Sequence, residues 1–111
     1  MDLLTLPEVA QRLGIRVNRV RQLIRDRALA TVDLDGTPYV PAAFFDDEGV
    51  LTHLAGVLTV LRDGGYTDPE AVRWLFTDDE TLPGTPIAAL HEKRHHEVNR
   101  RAQAMAFWRP G

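Results

Sequence analysis

Residues 5–27, TLPEVAQRLGIRVNRVRQLIRDR, decide the fold of this chain. Thr5-Leu6-Pro7-Glu8 has the form of a capping box, in which the Thr hydroxyl accepts from the Glu backbone N–H and the Glu carboxylate reaches back to the Thr N–H. Pro7 suits a first helical turn, where its missing N–H leaves nothing unpaired. Leu6, Val9, Ala10 and Leu13 then recur at helical spacing, with Glu8, Gln11 and Arg12 opposite. Gly14 can take the left-handed conformation that ends a helix. A second helix is expected from about Val17 to Asp26, with Val17, Val20, Leu23 and Ile24 on its apolar face. Asn18, Gln22 and Arg25 centre the other face, flanked by Arg19 and Arg21. Small Ala10 allows close helix approach, Gly14 makes the turn and Val20 fills the gap. That spacing is the signature of a helix-turn-helix.

Working outward, Leu3-Leu4 suits a small edge strand. Leu29 to Val32 and Tyr39-Val40 are β-favouring runs around Asp33 to Pro38, where Asp35-Gly36 signals a hairpin turn. We expect a two-stranded wing, then a short helical turn over Pro41 to Phe45. Asp46-Asp47-Glu48-Gly49 is the natural boundary, which divides the chain into a winged helix-turn-helix domain, 1–45, and a helical C-terminal domain, 46–111. Beyond it, Val50, Leu51, Leu54, Val57, Leu58 and Leu61 carry a helix to Gly64-Gly65. Thr67-Asp68-Pro69-Glu70 caps another, which bears Ala71, Val72, Trp74, Leu75 and Phe76. After an acidic loop from Thr77 to Glu80 and Pro83-Gly84, a long helix is expected from Thr85-Pro86 to about Phe107. The fold class is mainly α, with a small β-hairpin wing followed by an α-helical C-terminal region whose short loops imply antiparallel neighbours.

Composition limits what such a chain can do. It has 111 residues, 44% of them hydrophobic, enough for one core or for two small modules sharing one. No apolar run approaches the ~20 residues a membrane span needs, and MDLLTLPE lacks a basic leader, so the cytoplasm is expected. Cysteine and serine are both absent, which excludes disulfides, thiolate metal sites and Cys or Ser nucleophiles. No enzymatic activity and no cofactor is expected. Phe44-Phe45 suit packing between the halves, Trp74 and Phe76 suit the core, and Phe107 and Trp108 either dock back or mark a dimer or partner surface.

His91-Glu92-Lys93-Arg94-His95 matches the H-E-x-x-H pattern, in which two helical His hold zinc and the Glu acts as base. Both intervening residues are cationic, no third ligand follows, and the chain is too short for a substrate cleft. The packing reading is preferred: His91 shares a face with Ile87, Leu90, Val98, Ala102 and Met105, while His95 and His96 lie at its edge and outside.

Net charge is −3, yet Arg16 to Arg27 holds five Arg and one Asp. Residues 1–45 balance at +1 and residues 46–111 at −4. The local field at a docking face governs binding to a polyanion, so overall acidity is no veto. Arg pairs bidentately with guanine, Asn and Gln pair with adenine, and further Arg residues clamp phosphates. Arg16, Asn18, Arg19, Gln22 and Arg25 are therefore expected in the major groove of double-stranded DNA, with Arg21 nearer the backbone. Asp33 and Asp35 would repel phosphates, which leaves most contacts to the helix.

The block from Thr5 to Phe45 resembles the winged helix-turn-helix of the MerR and excisionase type. LPEVAQRLGIRVNRVRQLIRD, VPAAFF, GVLTVLRDGGYTDPEAVRWLFT and ALHEKRHHEVNRRAQAMAF together resemble a small actinobacterial family of DNA-binding proteins in which a helical region follows the wing. That resemblance implies a DNA-binding transcriptional regulator, and Ser/Thr kinase control through an N-terminal tail; this chain starts almost at its first helix. DPEAVRWLFTDDETLPGTPIAAL is similar to the partner-binding domain of Xre/ParS antitoxins, which implies, as the alternative, an interaction module whose helical half binds a protein partner. A single reader of this size buries limited surface, so a homodimer is expected.

Overall fold

β1 (Leu3–Thr5) runs directly into α1 (Leu6–Leu13), and Thr5 belongs to both, as last strand residue and as helix cap. The computed structural model describes residues 1–82 and 84–108. The capping box forms as expected: Thr5 N–H donates to Glu8 Oε1 at 2.8 Å, and Glu8 N–H donates to Thr5 Oγ1 at 3.3 Å. The Thr5 backbone N–H, and then its hydroxyl, hold the Glu8 carboxyl below its ordinary value. A lowered carboxylate stabilises the fold at neutral pH, and that contribution is lost as pH falls through the lowered value. Gly14, at φ 68°, ends α1, with its N–H on Gln11 O and Ile15 N–H on Ala10 O. The two-bond pattern is a Schellman closure. α2 (Val17–Arg25) follows at once, with Val20 fully buried.

The wing is β2 (Val32–Leu34) paired antiparallel with β3 (Thr37–Pro41), and β1 lies along the other side of β3. Asp35 and Gly36 have φ of 51° and 80°, as a two-residue hairpin turn of the I′ type requires. The strand expected from Leu29 begins only at Val32. Leu29 and Ala30 are both fully buried, and consecutive inward residues do not fit a strand with one wet face. A single 3-10 turn, Ala42–Phe44, follows as expected.

Three expectations beyond the wing need correction. The acidic break is a second hairpin, β4 (Phe45–Asp46) with β5 (Gly49–Val50), with Asp47-Glu48 at its tip. Val50 is therefore a strand residue, Leu51 N–H donates to Phe44 O at 2.8 Å, and α3 spans only Leu54–Asp63. α4 (Asp68–Leu75) carries its second capping box as read. The long terminal helix is two: α5 (Pro86–His91) and α6 (His95–Trp108). Lys93, at φ 63°, closes α5, with Lys93 N–H on Leu90 O and Arg94 N–H on Ala89 O. His91 and His95 thus sit on different helices. His91 is exposed rather than packed among apolar residues, and its Nε2–H donates to Ala43 O at 2.7 Å. His95 stacks on His53, with ring centroids 3.7 Å apart.

One apolar cluster runs through both halves. Val9, Val20, Leu29 and Val40 from the first 45 residues, and Leu54, Leu58, Leu61, Leu75 and Val98 from the rest, are all fully buried. Trp74 and Phe76 pack against it half-buried, whereas Phe107 is 80% exposed; the side chain of Trp108 lies outside the described residues. Among the described residues no helix is long and apolar enough to cross a membrane.

The end of α3 lies close against α6 at its cap, Gly64, where an added Cβ would lie 2.4 Å from Ala106 Cβ. Gly64→Ala should destabilise the protein by about 1–3 kcal/mol in chemical denaturation, because backbone must move to admit the methyl. Lys93→Gly should act oppositely, adding about 0.5 kcal/mol, since relief of a left-handed side-chain-bearing residue outweighs the entropy glycine returns to the unfolded chain. Lys93→Val in the same measurement should cost more than about 1 kcal/mol.

Candidate nucleic-acid interface

α2 exists because Val17, Val20, Leu23 and Ile24 fall on one face, and that face is turned onto the core: Val20 is buried and the other three are half-buried. The opposite face is thereby turned to solvent. Arg16, Asn18, Arg19, Arg21 and Arg25 are exposed, and Gln22 is half-buried. All six residues read from the sequence come together on nine residues of helix and its cap. Arg16 is the N-cap in extended conformation, and its side chain makes no capping bond. No acid occupies the first turn of α2, which leaves the positive end of the helix dipole unneutralised there.

The six differ in how they are held. Among the described residues, the side chains of Arg16, Asn18, Arg19 and Arg21 make no hydrogen bond or ion pair. Gln22 and Arg25 are already engaged: Arg25 Nη2 donates to Gln22 Oε1 at 2.8 Å, and Gln22 Nε2 donates to Asp26 Oδ1 at 2.8 Å. This ladder orients the Gln22 amide along the helix and places one carboxylate, Asp26, at the end of the basic face. Gln22 and Asp26 are four apart, a spacing that brings side chains together on a helix. A cavity of about 550 Å³ between β2 and α4 is lined by Val32, Val72 and Phe76 among others and by none of the six.

Residues 1–45 match the family described as "DNA-binding protein Rv2175c, wHTH domain", and residues 51–106 match "Rv2175c C-terminal domain of unknown function". The chain belongs to the Rv2175c family. It is 44% identical over 115 residues to the DNA-binding protein Rv2175c of Mycobacterium tuberculosis (strain ATCC 25618 / H37Rv), an alignment that covers 92% of this chain and 79% of that protein. The NMR structure of Rv2175c superposes with a TM-score of 0.87 at 41% identity, covering 95% of this chain and 81% of that one. An excisionase of Streptomyces ambofaciens is 48% identical over 40 residues, 36% of this chain and 64% of that protein.

In this Rv2175c-family chain the wing is chemically unlike the helix. Asp33 and Asp35 are exposed at its tip, on either side of Leu34, which is 48% exposed. Arg12, on the last turn of α1, lies with its guanidinium 5.8 Å from the centroid of the Phe45 ring. It also lines a cleft with Asp46, Asp47 and Glu48. The unopposed positive charge of the N-terminal region is therefore concentrated on α2.

Proposed function

We propose that the chain is a sequence-specific reader of double-stranded DNA that regulates transcription, with α2 in the major groove. The observation that carries this reading is the outer face of α2. Four side chains there, three Arg and one Asn, are exposed without internal partners among the described residues, next to a Gln and an Arg pre-ordered by each other. The DNA-binding name carried by the relative from Mycobacterium tuberculosis, which shares the winged helix-turn-helix, supports it. Residues 1–45 form the reader in this proposal and residues 46–111 the helical domain that holds it. The protein acts in the cytoplasm as a homodimer, without catalysis, because a single module buries too little surface for tight binding on its own.

In mechanism, Arg16, Asn18, Arg19, Gln22 and Arg25 enter the major groove, where Arg19, Gln22 and Arg25 contact base edges, while Arg21 meets phosphates from the flank. Long Arg side chains adapt to phosphate positions. The Gln22 amide is held by Asp26 and Arg25 and presents a fixed donor and acceptor pattern.

Selection of duplexes from a random-sequence pool, followed by titration at several salt concentrations, tests the proposal. Arg19→Ala and Gln22→Ala should each reduce discrimination between selected and scrambled duplexes by ~1–3 kcal/mol. Arg21→Ala should weaken both duplexes alike and lower the salt slope by about 1. No enrichment from the pool, or a salt slope near zero, removes DNA as the ligand.

The wing generates a second expectation. Replacing both acids, Asp33→Asn with Asp35→Asn, should tighten duplex binding at low salt, and the gain should vanish once the Debye length falls to ~3 Å in 1 M salt. Unchanged affinity at low salt would place the wing tip away from the duplex.

A further inference from the structure

α2 ends without a glycine. Asp26 closes the helix and Arg27 turns back at φ 63°, with Arg27 N–H on Ile24 O at 3.0 Å and Ala28 N–H on Leu23 O at 2.9 Å. This is the closure that Gly14 makes for α1, yet here it is made by a residue with a long side chain, for which the left-handed region is unfavourable. Something outside α2 must hold it. Arg62, on the last turn of α3, does so: its Nη1 donates to Arg27 O at 2.6 Å and its Nη2 to Leu29 O at 3.3 Å. Its Nε donates to Asp68 Oδ1 at 2.8 Å, the carboxylate that balances its charge. The Arg62 side chain is only 7% exposed. A buried guanidinium is tolerated when its donors are matched, and its planar fork fixes the directions of the acceptors it binds.

We propose that Arg62 is a positioning residue for DNA recognition, and that the helical half serves as a brace that sets the pose of the recognition helix. The inference rests on the reading of α2 as the DNA-contacting helix. Two of the three acceptors of Arg62 lie in the segment that leaves α2, and the third begins α4, so one side chain ties the end of the reader to two helices of the other half. Gln22 and Arg25 lie in the last turn of α2, directly before the clamped residues. Bidentate pairing with a base edge demands close placement of the helix, whereas flexible Arg contacts to phosphate tolerate a shift. Loss of the brace therefore erodes discrimination and spares non-specific affinity. Arg62 itself, buried against backbone carbonyls, touches no DNA.

The test uses the full chain, a duplex selected from a random pool by the wild-type protein, and a scrambled duplex of the same composition. Arg62→Met keeps the aliphatic stem and removes the donors; Arg62→Lys keeps the charge but lacks the planar fork. With circular dichroism and cooperative melting showing a folded chain, Arg62→Met should weaken binding to the selected duplex about tenfold and to the scrambled duplex less than about twofold. Arg62→Lys should give a selective loss of about threefold. Unchanged binding, or equal loss on both duplexes, overturns the brace. Should Arg62→Met not fold, Arg62→Lys decides by the same criterion. Arg19→Ala and Gln22→Ala are measured alongside. If they reduce binding to the selected duplex while the Arg62 variants do not, only the brace fails; if they too leave it unchanged, the reading of α2 fails and the brace falls with it.

Discussion

The Phe44 ring is fully buried where the two halves of the chain meet, 6.1 Å from the ring of Phe76. Leu29, Ala30 and Val40 from the first half belong with residues of the second to one buried apolar cluster that serves both. The physical reason is size. A winged helix-turn-helix of some 45 residues buries too small a fraction of its surface to be comfortably stable without help. The helices that follow the wing supply the missing surface, and every other feature of the molecule inherits its rigidity from that shared core.

Rigidity matters because α2 contributes little to it. Only Val20 is fully buried on this helix, while Val17, Leu23 and Ile24 are half-covered. A nine-residue helix rich in Arg would be marginal alone. It is held by its apolar stripe on one side, by the left-handed closure at Arg27, and by the Arg62 guanidinium on the carbonyls that follow. The polar face is left to solvent at no cost to the core. Asp33 and Asp35 on the wing, and Asp46, Asp47 and Glu48 on the second hairpin, confine the positive field to α2. At ~0.1 M salt, charges more than ~10 Å apart scarcely feel each other, so the molecule carries net negative charge and still presents a locally basic helix.

What could be read from residues alone follows from how local each signal is. Both Thr-x-Pro-Glu capping boxes, the Gly14 turn, the Asp35-Gly36 hairpin and the apolar stripes of α1 and α2 depend on neighbours within four or five positions, and each stands where it was expected. The misses have two origins. α1 and α3 close on glycine, at Gly14 and Gly65, whereas α2 and α5 close in the same way on Arg27 and Lys93. Nothing in Arg or Lys announces a left-handed residue, because the surrounding contacts impose that conformation. For α5 the consequence was an H-E-x-x-H pattern read across a single helix that the chain breaks in two. The hairpin at 45–50 was hidden for another reason, its two-residue strands being too short for alternation to show. On the basic face, side-chain identity and helical phase located all six residues; the Gln22 ladder and the Arg62 clamp needed distances.

The central claim is that reader and helical half open together, as one cooperative unit around the shared core. Native-state hydrogen exchange on the full chain measures this directly, by comparing the opening free energy of the backbone amides of Val20 and Ala28 with those of Leu61 and Val98. The account predicts one common value, equal to the global unfolding free energy. Exchange of Val20 and Ala28 through a separate opening, lower by about 2 kcal/mol or more while α3 and α6 stay closed, would contradict it.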